Sequence, residues 1–227
     1  MYNKELENTI SCKEDRKGRR RMKMIGITGG TGCGKGVVAG VFSSCGYPIY
    51  DCDQAYHMMT SFRSPCVEEL TQVFGEEIVF ENGALNRAVL REMVFSSEAN
   101  AKARLARLNE ITHRYVKRDL FVWCEEMKRQ GHTVVVIDAP ALFEAELEKD
   151  CSAVIGVVAS DEVRIQRIVA RDGITLQAAQ MRVKAQHTSE FYRKHCDYIV
   201  ENDSSMDVVC VQTNEIINDM IKRGILQ

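Results

Sequence analysis

No apolar run in this chain reaches the ~18 residues that a membrane-spanning helix needs, and no internal repeat or low-complexity linker interrupts it. The nine cysteines, at 12, 33, 45, 52, 66, 124, 151, 196 and 210, form no C-x-x-C pair. That scatter, the odd count and the missing secretory signal argue against a disulfide framework or a zinc site and favour reduced thiols in a cytoplasm. No second histidine stands near His113 at metal-ligand spacing, which also counts against zinc. A strong charge excess is absent too, with a formal net charge of −2 over 227 residues. The basic charge that exists is gathered at the start. Residues 1–23 carry eight basic and four acidic side chains, net +4, leaving −6 on the remainder. A mildly acidic body argues against a nucleic-acid-binding enzyme. The first 23 residues read as a disordered basic leader, and their acidic side chains count against a mitochondrial presequence.

What is present is a globular composition, 45% hydrophobic and 27% charged, on a length that suits one α/β domain with an insertion. Apolar, β-branched runs at 25–28, 47–51, 133–138 and 153–158, with a weaker fifth at 198–200, read as buried parallel strands. Between the second and third lies a long stretch, 54–130, with apolar positions recurring at three and four. A crossover needs only a dozen or so residues, so this stretch reads as an inserted helical subdomain that carries a second substrate. The core is then 24–53 and 131–227.

The most informative stretch is residues 24–36, Met-Ile-Gly-Ile-Thr-Gly-Gly-Thr-Gly-Cys-Gly-Lys-Gly. A short strand enters a loop with glycines at 29, 30, 32 and 34; Lys35 follows, and a helix-competent stretch begins near Val37. G-x-x-x-x-G-K is the phosphate-binding P-loop: its backbone N–H groups converge on an anion that also meets the helix's positive end. Gly29, Gly30, Thr31, Gly32, Cys33, Gly34, Lys35, Gly36 and Val37 are therefore the candidate nucleotide site, with Lys35 along the β- and γ-phosphates. One position departs: Gly36 stands where Ser or Thr would offer Mg²⁺ a hydroxyl.

Asp51-Cys52-Asp53 closes the second strand, at the sheet edge where α/β proteins place their ligands. Spaced i, i+2, the carboxylates share a side if the strand continues. One would accept a proton while the other orients Mg²⁺ through water; the plainer alternative for Asp53 is a helix cap. Asp138, ending the run 134–137, reads as the metal-side acid of a P-loop enzyme, and its weight rises because Gly36 offers no oxygen. Pro140 then forces a turn, with Glu144 beyond it. Arg164, Arg167 and Arg171 fall on one helical stripe that would clamp phosphate oxygens, or else face solvent beside Asp161, Glu162 and Asp172. With Gly173 and a second helix at about 175–187, the stripe makes a helical hairpin, residues 160–190, that reads as a lid.

Together these elements resemble the dephospho-coenzyme A kinases. The resemblance runs from 24 to about 203: the glycine loop at 26–35, Asp-Cys-Asp at 51–53, Leu85-Asn86-Arg87 with Leu90, Arg91 and Phe95, and His113. It continues through 140–144, Gln166-Arg167, Arg171-Asp172-Gly173, Ala185-Gln186 and Asp197-Tyr198-Ile199. The resemblance implies ATP- and Mg²⁺-dependent phosphorylation of the ribose 3′-hydroxyl of dephospho-coenzyme A. By it Asp53 matches the general base, and Lys35, Arg167 and Thr28 match phosphate-handling residues. Arg87, Arg91 and His113 belong to the helical coenzyme A subdomain, Pro140 and Leu142 to a substrate element, and Arg171 to the lid. Arg164 lies outside the shared pattern, and besides Gly36 the departures are Arg114 for a proline and Ala141 for a leucine. The implied fold is a P-loop-type parallel five-stranded sheet flanked by helices, with a helical insertion and a helical lid. The expected partner is the small-molecule substrate, with no nucleic acid and no membrane, in a monomer or weak homo-oligomer. Rival readings are a P-loop kinase of another metabolite or nucleotide, and a nucleotide-binding regulator weakened by Gly36.

Overall fold

A computed structural model describes residues 22–95 and 100–226; all but the last two positions of the basic leader lie outside the described residues. The described residues divide into two compact units, one formed by 22–51 and 124–226 and the other within Cys52–Trp123.

The first unit is built on five parallel strands: β1 (Lys23–Thr28), β2 (Ile49–Asp51), β3 (Val134–Asp138), β4 (Ala153–Val158) and β5 (Tyr198–Glu201). Their order across the sheet is β2-β3-β1-β4-β5, so the first strand sits at the centre. The five-stranded parallel sheet expected from the apolar runs is present, with shifted ends. Lys23 joins β1 because its N–H donates to the Thr133 carbonyl at 2.8 Å. Strand β2 starts only at Ile49, since Pro48 has no N–H to give the ladder and serves as an acceptor for Val136.

Side chains alternate across each strand. On one face Ile25, Ile27, Val134, Val136, Ile155, Val157 and Val200 meet two helices, α1 (Lys35–Ser44) through Val38 and Phe42, and a C-terminal helix (Met206–Lys222) through Val209, Ile217 and Met220. Phe42 is fully buried there. Its removal leaves a cavity under the phosphate loop's own helix, so Phe42→Ala is expected to cost about 3–5 kcal/mol. Urea unfolding would show this as a lower midpoint at unchanged slope; a loss under about 1 kcal/mol would mean that the core closes over the gap.

The second unit is helical: α2 (Cys52–Met59), α3 (Pro65–Phe74), α4 (Arg87–Val94) and most of α5 (Ala101–Arg129), whose residues from Cys124 cluster with the sheet unit. Its helix starts are encoded locally. Ser64 caps α3 ahead of Pro65, its hydroxyl accepting from Val67 N–H, and Asn86 caps α4 by accepting from Val89 N–H. Cys66, Val67, Leu70, Phe74, Ile78, Leu85, Leu90, Val94 and Ile111 form a core of its own.

Back in the sheet unit, α6 (Asp161–Asp172) ends at Gly173 and α7 (Leu176–Lys184) starts from Thr175, whose hydroxyl accepts from Ala178 N–H. Ile168, Ala179 and Val183 pack the two into a hairpin. Helix α8 (Ser189–His195) follows and returns the chain to β5, after which the C-terminal helix is α9.

Candidate functional site

Strand β1 ends at Thr28 and α1 begins at Lys35, so the glycine loop lies between the central strand and a helix N-terminus. Gly34 occupies the N-cap position at φ 91° and no side chain caps the helix. Each of the loop's carbonyls from Gly29 to Cys33 has a donor. Gly29 O accepts from Lys35 Nζ at 3.1 Å, Gly30 O from Cys33 N–H at 3.2 Å, and Thr31 O from Arg164 Nε at 3.1 Å. Gly32 O accepts from Arg167 Nη1 at 3.3 Å and Cys33 O from Asn202 Nδ2 at 2.7 Å. All five successive carbonyls thus have donors, one from within the loop, one from Lys35 across it and three from α6 and the end of β5, and the uncapped positive end of α1 suits an anion.

The packing explains the glycines. A Cβ at Gly30 would lie 2.2 Å from Arg164 Nη2, and one at Gly34 would lie 2.1 Å from Asn202 Nδ2, where the positive φ already disfavours any other residue. Gly36 is different: a Cβ there would meet nothing within 4 Å. The missing Ser or Thr hydroxyl is a chemical loss with no steric cause. Cys33 is buried, and that burial pushes its thiol up against the opposing pull of Lys35, so it stays protonated at neutral pH.

The two metal-side candidates are register neighbours. Asp51 at the end of β2 pairs with Asp138 at the end of β3, and Asp138 also faces Ile27 of β1. Among the described residues no group of three or more His, Cys, Asp or Glu is placed to hold a metal ion.

Asp53 is placed otherwise than a continuing strand would place it. The strand stops at Asp51 and α2 starts at Cys52, so Asp53 stands in the first helical turn and the i, i+2 strand geometry does not apply.

The arginine stripe divides. Arg164 is 3% exposed and directed at the protein itself, to Thr31 O, Gln186 Oε1 at 2.8 Å and Asp161 Oδ1 at 3.2 Å; its reading as part of a phosphate clamp is corrected to that of a buried strut. Arg167 reaches Gly32 O and Asn202 Oδ1 at 3.1 Å. Arg171 is exposed, with Nε and Nη2 on Asp172 at 2.7 and 3.2 Å. Arg171 and then Arg182 hold the Asp172 carboxyl well below its usual range, to about 2, so these pairs stay charged across the neutral range.

Thr28 is fully buried, and its hydroxyl donates to Pro140 O at 3.4 Å. Leu142 is fully buried as well, its methyls where a Cβ on Gly26 would lie 3.2 Å away. Glu144 faces His187 Nε2 at 3.4 Å.

In the helical unit, Arg87 donates to His57 O at 2.9 Å and Thr60 Oγ1 at 2.7 Å, lies over the Tyr56 ring and also contacts His57 Nδ1. Arg91 stands one turn further along α4 and is exposed, while His113 is half-buried in α5. Arg114, in place of the proline that the resemblance implies, ties α5 to α3 by pairing with Glu69, whose carboxyl it holds below the usual range.

Two residues around the loop had no role in the sequence reading: Asn202, just beyond β5, and Gln186, part of the resemblance pattern without a function. An asparagine directly after a strand end was the available signal for the first.

The sequence model of the dephospho-CoA kinases matches residues 23–207. The chain belongs to that family. The dephospho-CoA kinase of Corynebacterium diphtheriae is 34% identical over 188 residues, covering 83% of this chain and 92% of the relative. That of Syntrophotalea carbinolica is 35% identical over 186 residues, covering 82% and 86%. A solved dephospho-CoA kinase structure from Campylobacter jejuni shares the fold at a TM-score of 0.63 and 22% identity, covering 88% of this chain and 98% of that one. Family membership makes this chain a nucleotide-using kinase that phosphorylates dephospho-CoA in coenzyme A biosynthesis.

Proposed function

We propose that ATP is the donor and the ribose 3′-hydroxyl of dephospho-CoA the acceptor, with Mg²⁺ required. The observation that carries this reading is the glycine loop whose carbonyls from Gly29 to Cys33 all have donors, ahead of a helix N-terminus that no side chain caps. Phosphoryl transfer asks a protein chiefly for position and charge neutralisation. Lys35 gives up Gly29 O to follow the transferring phosphoryl group. Arg167, already at the loop, turns its guanidinium from Gly32 O to a phosphate oxygen, and Arg171 approaches as the hairpin closes. Thr28 holds the Pro140 turn, and with Leu142 it fixes the chain beside the strand ends. Asp53 takes the proton of the attacking hydroxyl, while Arg87, Arg91 and His113 serve the coenzyme A portion, Arg91 offering its charge to a substrate phosphate.

Two neighbouring carboxylates suit Mg²⁺, which keeps several waters and binds through one or two carboxylates plus phosphate oxygens. Asp51 and Asp138 would hold it, directly or through those waters, and it would supply further neutralisation of the phosphates. The described cysteines stand as thiols, in keeping with a cytoplasmic enzyme, and we read it as a monomer or weak homo-oligomer.

Gly36 supplies no ligand, so the Mg²⁺ requirement is raised. Because the space beside it is open, Gly36→Ser is expected to lower the half-saturating Mg²⁺ for phosphate transfer about tenfold or more. Transfer from ATP to dephospho-CoA followed across a Mg²⁺ titration makes the comparison. Unchanged turnover and identical titration curves would refute the raised Mg²⁺ requirement. Clear ATP binding with no transfer at any Mg²⁺ would leave the regulator reading standing.

A further inference from the structure

Thr31 is the one residue with a side chain between Gly30 and Gly32, and its flanks are the most conformationally permissive residues available. Every polar group it has is nonetheless held. Its N–H donates to Gln186 Oε1 at 2.9 Å, its hydroxyl accepts from Gln186 Nε2 at 2.9 Å, and its carbonyl accepts from Arg164 Nε at 3.1 Å. Gln186 Oε1 receives a second donor, Arg164 Nη2, at 2.8 Å, which uses both lone pairs of the amide oxygen. Arg164 is buried and lies so close that a Cβ on Gly30 or Gly32 would collide with it.

These two residues come from the two roots of the α6–α7 hairpin, Arg164 from the first turn of α6 and Gln186 from the link between α7 and α8. They hold the two peptide units that flank the same loop residue. The plane before Thr31 is held at its oxygen by Cys33 N–H and at its nitrogen by Gln186; the plane after it is held by Arg164.

We propose that Gln186, backed by Arg164, is a positioning residue for the phosphate loop: it turns the Thr31 N–H away from the anion and so decides which loop amides face a nucleoside triphosphate. The proposal rests on the nucleotide-binding part of the reading above. It needs no particular acceptor. It also confines lid motion to the part of the hairpin beyond these roots, because both are fastened to the loop.

The test is a double-mutant cycle of Gln186→Ala and Thr31→Val in the full chain. ATP affinity by direct titration, kcat and KM for each substrate, and Tm are read for each protein. Loss of the amide leaves the Thr31 N–H and Arg164 Nη2 without the acceptor they share, so Gln186→Ala is expected to weaken ATP binding and kcat/KM for ATP about tenfold. KM for dephospho-CoA should stay within about twofold, and Tm should fall by only a few degrees, the cost of orphaning one buried Arg164 donor with no core volume removed. Thr31→Val removes only the hydroxyl contact and should have a smaller effect alone and none on top of Gln186→Ala. Additive effects, unchanged ATP constants, or equal losses toward both substrates in step with Tm would each overturn the proposal. Should wild type bind ATP without transferring phosphate to dephospho-CoA, while Gln186→Ala still weakens binding, the kinase reading falls and this one stands.

Discussion

Lys35→Met is expected to lower kcat about 10²–10³-fold while ATP affinity changes much less. The reason lies in where the ammonium rests. It bonds the carbonyl of Gly29, the first loop residue, at 3.1 Å, and so spans the phosphate loop from the helix end. The aliphatic stem of methionine fills the same space, and the loop's other four carbonyls keep their donors from Cys33, Arg164, Arg167 and Asn202. The anion-binding frame therefore survives. What disappears is a positive charge that can follow the phosphoryl group as its negative charge moves toward the leaving oxygen, an interaction stronger in the transition state than in the ground state. Single-turnover transfer and ATP titration on the same preparation separate the two effects. A rate within tenfold of wild type would move the catalytic charge to Arg167. Lys35→Arg is not expected to restore the rate, since a planar fork cannot replace a point charge at this position.

The loop was legible in the sequence because its information is local. Four glycines and a lysine in register, a strand before and a helix after, all fall within residues 24–44. The five strands were legible for a related reason, as β-branched runs such as 134–137 have few other places to go. Arg164 was not legible. Its spacing with Arg167 and Arg171 identifies a helix face but says nothing of what that face meets. It meets a loop about 130 positions earlier, where backbone carbonyls compete for the guanidinium. Gln186, separated from Thr31 by 155 positions, shows no periodicity at all.

Short-range competition hid the remaining detail. Asp51 and Asp53 satisfy an alternation only while a strand persists, and nothing in the triplet signals that a helix starts at Cys52. Asp53 thus acquires a helix-start position that would suit a structural role just as well. The existence of the helical unit was legible from its apolar spacing. Its limits at Cys52 and Trp123 were not, because α5 is a single uninterrupted helix that runs on to Arg129.

Asp53→Asn decides between those two roles. As a general base, Asp53 removes the proton from the attacking hydroxyl, and its replacement is expected to cost about 10²–10⁴ in kcat. As a helix-start carboxylate, it contributes about 0.3–1 kcal/mol through the charge at the first turn of α2. Asparagine keeps the size and one hydrogen-bonding oxygen of the side chain and gives up only that first-turn charge term. The variant therefore barely touches stability and isolates the proton-accepting carboxylate. The expected result is a Tm within a few degrees of wild type, ATP binding preserved, and transfer reduced at least a hundredfold. Preserved transfer would leave Asp53 a first-turn carboxylate of α2 and make Asp51 or Asp138, the neighbouring pair at the ends of β2 and β3, the carboxylate to test for the proton.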